Sequence, residues 1–96
     1  MDYGLNYTQR ALNDLEEIIS YIAEDNPDAA TRFGNSLLDH LALLQRYPRI
    51  GTIARKRAGV RKLTHSPIVV YYQIKEREHL IHLLHFRHGS RKEPRF

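Results

Sequence analysis

Two amphipathic segments meet at Asn26-Pro27 with almost no chain between them. Between residues 12 and 22, and again between residues 30 and 44, apolar side chains recur every three or four positions, which is the spacing of one helix face. A residue that precedes proline is driven out of helical geometry, whereas proline itself suits the first turn of a helix. The sequence therefore predicts one helix that ends at Asn26, a second that runs to Tyr47, and an antiparallel hairpin formed by the two.

The rest of the chain has the pattern of a small sheet. After a loop predicted over residues 48–59, the segments VRKLTH and IVVYYQI are rich in β-branched and aromatic residues, which favours strands. HLIHLLHFRH has apolar residues at odd and even positions, as in a strand buried on both faces. Alternation from Tyr3 to Tyr7 predicts a short first strand. We therefore expect an α+β fold of order β-α-α-β-β-β, with the helix hairpin on one face of an antiparallel sheet.

Length and composition restrict the expected number of domains, the possible metal and disulfide sites, and the expected location of the protein. A chain of 96 residues is expected to form one domain over residues 1–96, with a polar tail from about residue 90. The absence of cysteine excludes disulfides and thiolate metal sites. No apolar run approaches the roughly 18–20 residues that span a bilayer, and the N-terminus lacks the layout of a signal peptide. We expect a cytoplasmic protein that makes no membrane contact.

The net charge of +4 hides an uneven distribution. Residues 1–48 carry three arginines and eight acidic residues, a net charge of −5, whereas residues 49–96 carry twelve basic and three acidic residues, a net charge of +9. Arginine supplies 11 of the 15 positive charges, and its planar guanidinium binds phosphate or carboxylate in a bidentate manner. The second half is therefore expected to face an acidic partner, either nucleic acid or an acidic protein segment.

Four histidines spaced by three residues, from position 79 to position 88, raise the question of a metal site. In a regular strand His82 and His88 would face one side and His79 and His85 the other, so the four side chains would not converge. We therefore expect no metal site there. Phosphate-binding glycine loops and nucleophile elbows are also missing from the sequence, so no cofactor is predicted.

The basic residues of the second half are the candidate functional residues. Arginines on a sheet edge and a loop could clamp a phosphodiester while a histidine moves a proton, as in a metal-independent ribonuclease; the alternatives are a solvated basic face or a dock for an acidic partner. The adjacent Tyr71 and Tyr72 should face opposite sides of their strand, one in the core and one at a rim or partner contact. The candidates are Arg55, Lys56, Arg57, Arg61, Lys62, Arg87, His88 and Arg91.

Several segments in this order resemble the RelE/ParE superfamily of toxins from type II toxin-antitoxin pairs. They are ALNDLEEIISYIAEDNPDAATRF across the helices, YPRIGT at the helix exit, GVRKL and IVVYYQI in the strands, and LIHLLHFRHGSR at the end. The resemblance covers about residues 3–91, and DNPDAATRF and HGSR are more similar to the ParE branch. It implies a growth-inhibiting toxin that binds DNA gyrase without catalytic residues of its own, and a plasmid-stabilisation role. It also implies neutralisation by a cognate antitoxin, with oligomers formed through that complex.

The same resemblance leaves two alternatives. In a RelE-like ribosome-dependent mRNA endoribonuclease, the matching residues would be Arg61, Arg87 and His88, with Lys56 in the segment where relatives have basic residues. No tyrosine follows Tyr72, so the C-terminal tyrosine of some nucleases has no counterpart. A degenerate member that binds antitoxin without toxicity is the other alternative. The residues implied in partner binding are Arg55, Lys56, Arg57, Arg61, Lys62, Arg87 and Arg91.

Overall fold

The computed structural model of the protein describes residues 2–90. The predicted polar tail, including Arg91, lies outside these residues apart from Ser90. No helix in the described part of the chain combines the length and apolar character needed to cross a membrane. The elements, in chain order, are β1 (Gly4–Tyr7), α1 (Gln9–Asp25), α2 (Pro27–Arg46), β2 (Thr52–Ile53), β3 (Arg61–His65), β4 (Ile68–Lys75) and β5 (Leu80–His88).

The helix hairpin forms as the Asn26-Pro27 junction predicts. The backbone N–H of Asn26 donates to the carbonyl of Ile22 at the end of α1, at 3.0 Å. The Asn26 side chain then accepts from the N–H of Ala29 at 3.0 Å, which caps the start of α2. One residue thus satisfies backbone groups of both helices, and Pro27 occupies the first helical position, where no intrahelical donor is needed.

The sheet order is β1-β5-β4-β3-β2. Strands β2 to β5 form the predicted antiparallel meander, but β1 pairs parallel to β5, with Gly4 opposite Leu80. The sheet is therefore mixed, which corrects the expectation of an antiparallel sheet. No tight turn joins β1 to β5, so hairpin geometry does not dictate their relative direction. A second correction is that the predicted loop over residues 48–59 contains β2, a two-residue strand.

The two faces of the sheet are covered by different parts of the chain. On the helix face, Val70, Tyr72, Leu83 and Phe86 pack into a core with the helices. On the opposite face, which we call the open face, Val69 and Tyr71 pack with Ala54 and Val60. The segment 54–60 between β2 and β3 therefore forms a cover over the open face.

This cover changes the expectation for the paired tyrosines. Tyr71 and Tyr72 point to opposite faces, as predicted, but both are completely buried. The prediction that one of them lies at a rim or a partner contact is therefore wrong. The physical reason is that Ala54 and Val60, which lie outside β4 in the segment before β3, shield Tyr71 from solvent.

Gly34 lies in the interior of α2, a position from which the sequence predicts close helix packing. A Cβ atom added there would meet only the Cδ1 of Ile19, at 3.6 Å, which is an ordinary van der Waals distance. The packing of the two helices therefore does not require glycine at this position.

Candidate functional site

Most of the predicted partner-binding residues lie on the open face. Lys62 is paired with Tyr71 and Arg87 with Val69, and directly opposite residues of paired strands point to the same face. The exposed residues Arg55, Lys56 and Arg57 belong to the covering segment 54–60. The structure thus brings five basic residues, from β3, β5 and the segment 54–60, to one side of the sheet.

Arg61 does not belong to this group. It is paired with Tyr72, so it points to the helix face, where its guanidinium donates to the carbonyl of Gly51 at 2.9 Å. His88 is paired with Ile68 and also points to the helix face. Since Tyr72 and Ile68 are four residues apart on β4, His88 lies roughly 13 Å further along the sheet than Arg61. The three residues proposed for nuclease chemistry, Arg61, Arg87 and His88, are therefore not brought together.

A β-bulge sets the positions of the histidines on β5. Tyr72 is opposite Leu83, but Tyr71 is opposite His85, so Leu84 is the extra residue on β5. A bulge shifts the alternation of all residues that follow it. As a result His82 and His85 lie on the open face and His88 on the helix face, whereas a regular strand would put His82 and His88 together. The expected division of the histidines is corrected accordingly.

His85 contacts Asp14 of α1. The Nδ1 atom of His85 forms a hydrogen bond with Oδ2 of Asp14, and the same oxygen accepts from the backbone N–H of Phe86 at 3.1 Å. β1 is paired with β5 only as far as Leu83. Beyond that point Asp14 supplies a hydrogen-bond acceptor for the edge of β5. Both side chains are mostly buried, with exposures of 13% for His85 and 19% for Asp14.

This pair lies on a groove of about 610 Å³ between α1 and the ends of β4 and β5. His85 is stacked on the ring of Tyr71 with a centroid distance of 6.0 Å, and the Tyr71 hydroxyl accepts from Nε of Arg87 at 2.7 Å. At the mouth, the Nδ1 atom of His88 accepts from the N–H of Ser90 at 3.2 Å. The apolar wall consists of Ile18, Tyr21, Ile22, Phe33, Pro67, Ile68 and Phe86.

Two kinds of chemistry are available in this groove. Its apolar wall can bury the side chains of a peptide, and Arg87 at its edge can pair with an acidic group. Alternatively, Asp14 holds Nδ1 of His85, which leaves Nε2 as the nitrogen that can exchange a proton, the arrangement of a histidine oriented by a carboxylate. The sequence prediction did not include Asp14 or His85. No sequence signal singles out His85, because Leu80-Ile81 interrupts the alternation of β5 in the same way as Leu83-Leu84 but without a bulge.

Comparison with known proteins agrees with this architecture. The sequence model of the ParE toxin of the type II toxin-antitoxin system parDE matches residues 5–93. Toxin RelE2 of Caulobacter vibrioides is 35% identical over 86 residues, which is 88% of this chain and 93% of that protein.

Solved structures show the same fold. The chromosomal ParDE toxin-antitoxin system of P. aeruginosa is similar with a TM-score of 0.77 at 22% identity, over 92% of this chain and 97% of that one. The isolated E. coli RelE toxin is similar with a TM-score of 0.67 at 20% identity, over 95% and 88% of the two chains. The extent of the sequence match, together with the helix hairpin and five-stranded sheet, leads to one conclusion: the chain belongs to the ParE toxin family of type II toxin-antitoxin systems.

Proposed function

We propose that this toxin inhibits growth by binding DNA gyrase, in the manner expected of the ParE branch, and that it acts in the cytoplasm. The observation that carries the proposal is the grouping of Arg55, Lys56, Arg57, Lys62 and Arg87 on the open face. The first three are exposed and lie on a loop, so they can adapt to a partner. A surface of this charge favours association with an acidic protein segment or nucleic acid.

We further propose that a cognate antitoxin covers the groove and the neighbouring basic residues. Two of the similar structures are toxin-antitoxin complexes, from Mycobacterium tuberculosis and E. coli. The apolar wall of the groove and the guanidinium of Arg87 suit a segment that combines apolar and acidic side chains. Arg61, engaged with Gly51 on the helix face, contributes to partner binding less directly than Lys62 or Arg87. Oligomers are then formed through the antitoxin.

The test is a supercoiling assay with purified gyrase over a wide range of toxin concentrations. The wild-type protein should inhibit supercoiling, and Lys56→Glu should weaken inhibition by reversing one exposed charge of the basic loop. Arg32→Glu is the matched control, because it makes the same charge change at an exposed position on α2. Unchanged supercoiling at every concentration of wild-type protein would contradict the proposal, as would equal effects of the two substitutions.

The Asp14–His85 pair favours a second candidate function, a RelE-like endoribonuclease acting on ribosome-bound mRNA. Here His85, oriented by Asp14, would remove the proton of the 2′-hydroxyl, whose oxygen attacks the adjacent phosphorus as the bond to the 5′-oxygen breaks. Water would protonate the leaving 5′-oxygen, and Arg87 would stabilise the phosphate. Toe-printing of translating ribosomes should then show new cuts in the A-site codon, which His85→Gln abolishes. Intact messages would exclude this function.

Induction of the toxin without antitoxin separates these proposals from a non-toxic member of the family. An early stop of DNA replication supports gyrase as the target, and an early stop of protein synthesis supports mRNA cleavage. Normal growth, with antitoxin binding retained, would identify a protein that binds antitoxin but has no toxicity.

A further inference from the structure

Two histidines meet between the hairpin and the sheet, away from the Asp14–His85 pair. His40 of α2 and His65, the last residue of β3, approach with their Nδ1 atoms 2.9 Å apart. The other ring nitrogen of His65, Nε2, lies 3.3 Å from the hydroxyl of Ser36, one turn before His40 on α2. Both histidines are half-buried. The three side chains thus join α2 to the end of β3.

The short distance between two identical nitrogens restricts their protonation. At 2.9 Å one Nδ1 must donate a proton and the other must accept it. A first additional proton can bind at the outer nitrogen of the donor ring, which keeps the N–H···N hydrogen bond and makes it charge-assisted. A second additional proton would place two N–H groups against each other, so the contact would have to open. The pair therefore holds together in its neutral and singly charged states only.

The charged residues near the two histidines do not stabilise the doubly charged pair. Burial and the charge of His40 both lower the pKa of His65, burial being the larger cause. On the helix face of the sheet, the charged or titratable residues nearest in register are His88, across Ile68, and Arg61, at the other end of β3. Neither can neutralise a doubly charged pair, because both are basic. On α2 the carboxylate next in sequence is Asp39, which is exposed.

The pair is connected to the groove wall. The ring of His65 contacts the ring of Phe33 edge-on, with centroids 5.6 Å apart and planes at 63°. His65 is also directly opposite Ile68 in the sheet. Phe33 and Ile68 both line the groove. A movement of His65 away from α2 would thus change two of the apolar side chains against which a bound segment packs.

We propose that His40 and His65 form a proton-controlled latch, which fastens α2 to β3 while it holds at most one extra proton and releases the groove wall when it takes up a second. The latch is a property of the toxin alone and goes beyond the proposed function, since it operates whichever molecule occupies the groove. Its consequence is that acidification loosens the wall formed by Phe33 and Ile68.

Imidazole ¹⁵N NMR on the full-length toxin tests the latch directly. At pH 7.5 a scalar coupling between the two Nδ1 atoms should be detected across the hydrogen bond, and it should vanish on acidification. The side-chain signals of Phe33 and Ile68 should shift with the same midpoint as that loss. In His40→Gln the titration midpoint of His65 should move upward. The signals of Phe33 and Ile68 should then no longer shift at the pH at which the wild-type coupling is lost. His82→Gln, a histidine substitution on the open face, is the control. It should leave the titration of His65 and the pH-dependent shifts of Phe33 and Ile68 unchanged.

Several results would overturn the inference. One is the absence of the coupling at pH 7.5 in the wild-type protein, a measurement that does not depend on the folding of a variant. Another is an unchanged His65 titration in His40→Gln. A third is the absence of any shift in the Phe33 and Ile68 signals at the pH at which the coupling is lost. None of these measurements uses gyrase, ribosomes or antitoxin, so the latch can fail while the proposed function holds, and the reverse.

Discussion

Removal of a single oxygen atom from Tyr72 should strongly destabilise this toxin. The Tyr72 hydroxyl donates to the carbonyl of Pro48 at 2.7 Å and accepts from the N–H of Gly51 at 3.0 Å, and both hydrogen bonds are buried. Tyr72→Phe keeps the ring in the core but leaves both backbone groups without this partner. A buried polar group that loses its partner costs about 1–3 kcal/mol. With partial relaxation, we expect the free energy of unfolding to fall by about 2–4 kcal/mol.

That loss is a large share of the about 5–15 kcal/mol that stabilises a typical domain. In a chain of this size it corresponds to a fall in Tm of roughly 10–20 °C. Urea unfolding followed by far-UV circular dichroism gives the measurement, and the slope against urea should be unchanged. Tyr71→Phe is the matched control. Its hydroxyl accepts from Arg87, which is partly exposed and can be hydrated instead, so we expect a loss below about 1 kcal/mol.

Equal losses in the two variants would refute the reasoning, because the cost is attributed to the buried backbone groups that only Tyr72 serves. The same anchor positions Gly51, which directly precedes β2 and the basic segment 54–60. Amide exchange in that segment should therefore be faster in Tyr72→Phe than in Tyr71→Phe. The substitution thus connects the stability of the core with the placement of the proposed binding loop.

Three further predictions concern other parts of the molecule. Gly34→Ala should raise the free energy of unfolding by about 0.5–1 kcal/mol in the same urea assay, because it improves helix propensity without a clash. Asp14→Ala should lower it by about 1–2 kcal/mol and speed amide exchange at Phe86, whose N–H loses its acceptor. The hydrogen bond from Tyr3, followed by that from Arg49, lowers the pKa of Glu76 below its ordinary value. The contribution of Glu76 to stability is therefore present above its unfolded pKa and lost as the pH falls through its folded pKa, and carboxyl ¹³C NMR should find a titration midpoint below that of an unperturbed glutamate.

The parts of the fold that the sequence predicts are those decided by neighbouring residues. Asn26 and Pro27 determine the end of one helix and the start of the next through local capping, so the hairpin is confirmed. The parallel pairing of β1 with β5 depends on where residues 76 positions apart meet, and no local pattern encodes that. The bulge at Leu84 reverses the alternation of every later residue on β5, and it therefore determines that His85 and Arg87, rather than His88, share the open face with His82.

The candidate site was only partly predictable for the same reason. Clusters of charge are visible in the sequence, and Arg55, Lys56 and Arg57 do form an exposed basic segment. The contacts that give side chains a chemical role join distant elements: Asp14 with His85 across 71 positions and His40 with His65 across 25. Each depends on how the hairpin packs against the sheet, and spacing along the chain does not reveal it.

The structure also explains why the small net charge understates the electrostatics of the molecule. The acidic hairpin and the basic segment 54–60 lie on opposite faces of the sheet. A sheet and its packed layers separate such charges by about 10 Å or more, which exceeds the Debye length of about 8 Å at physiological ionic strength. An approaching partner therefore experiences the charge of the face it meets rather than the sum. Acidic segments are directed to the open face, where the hairpin contributes one contact through Asp14, which is hydrogen-bonded to His85.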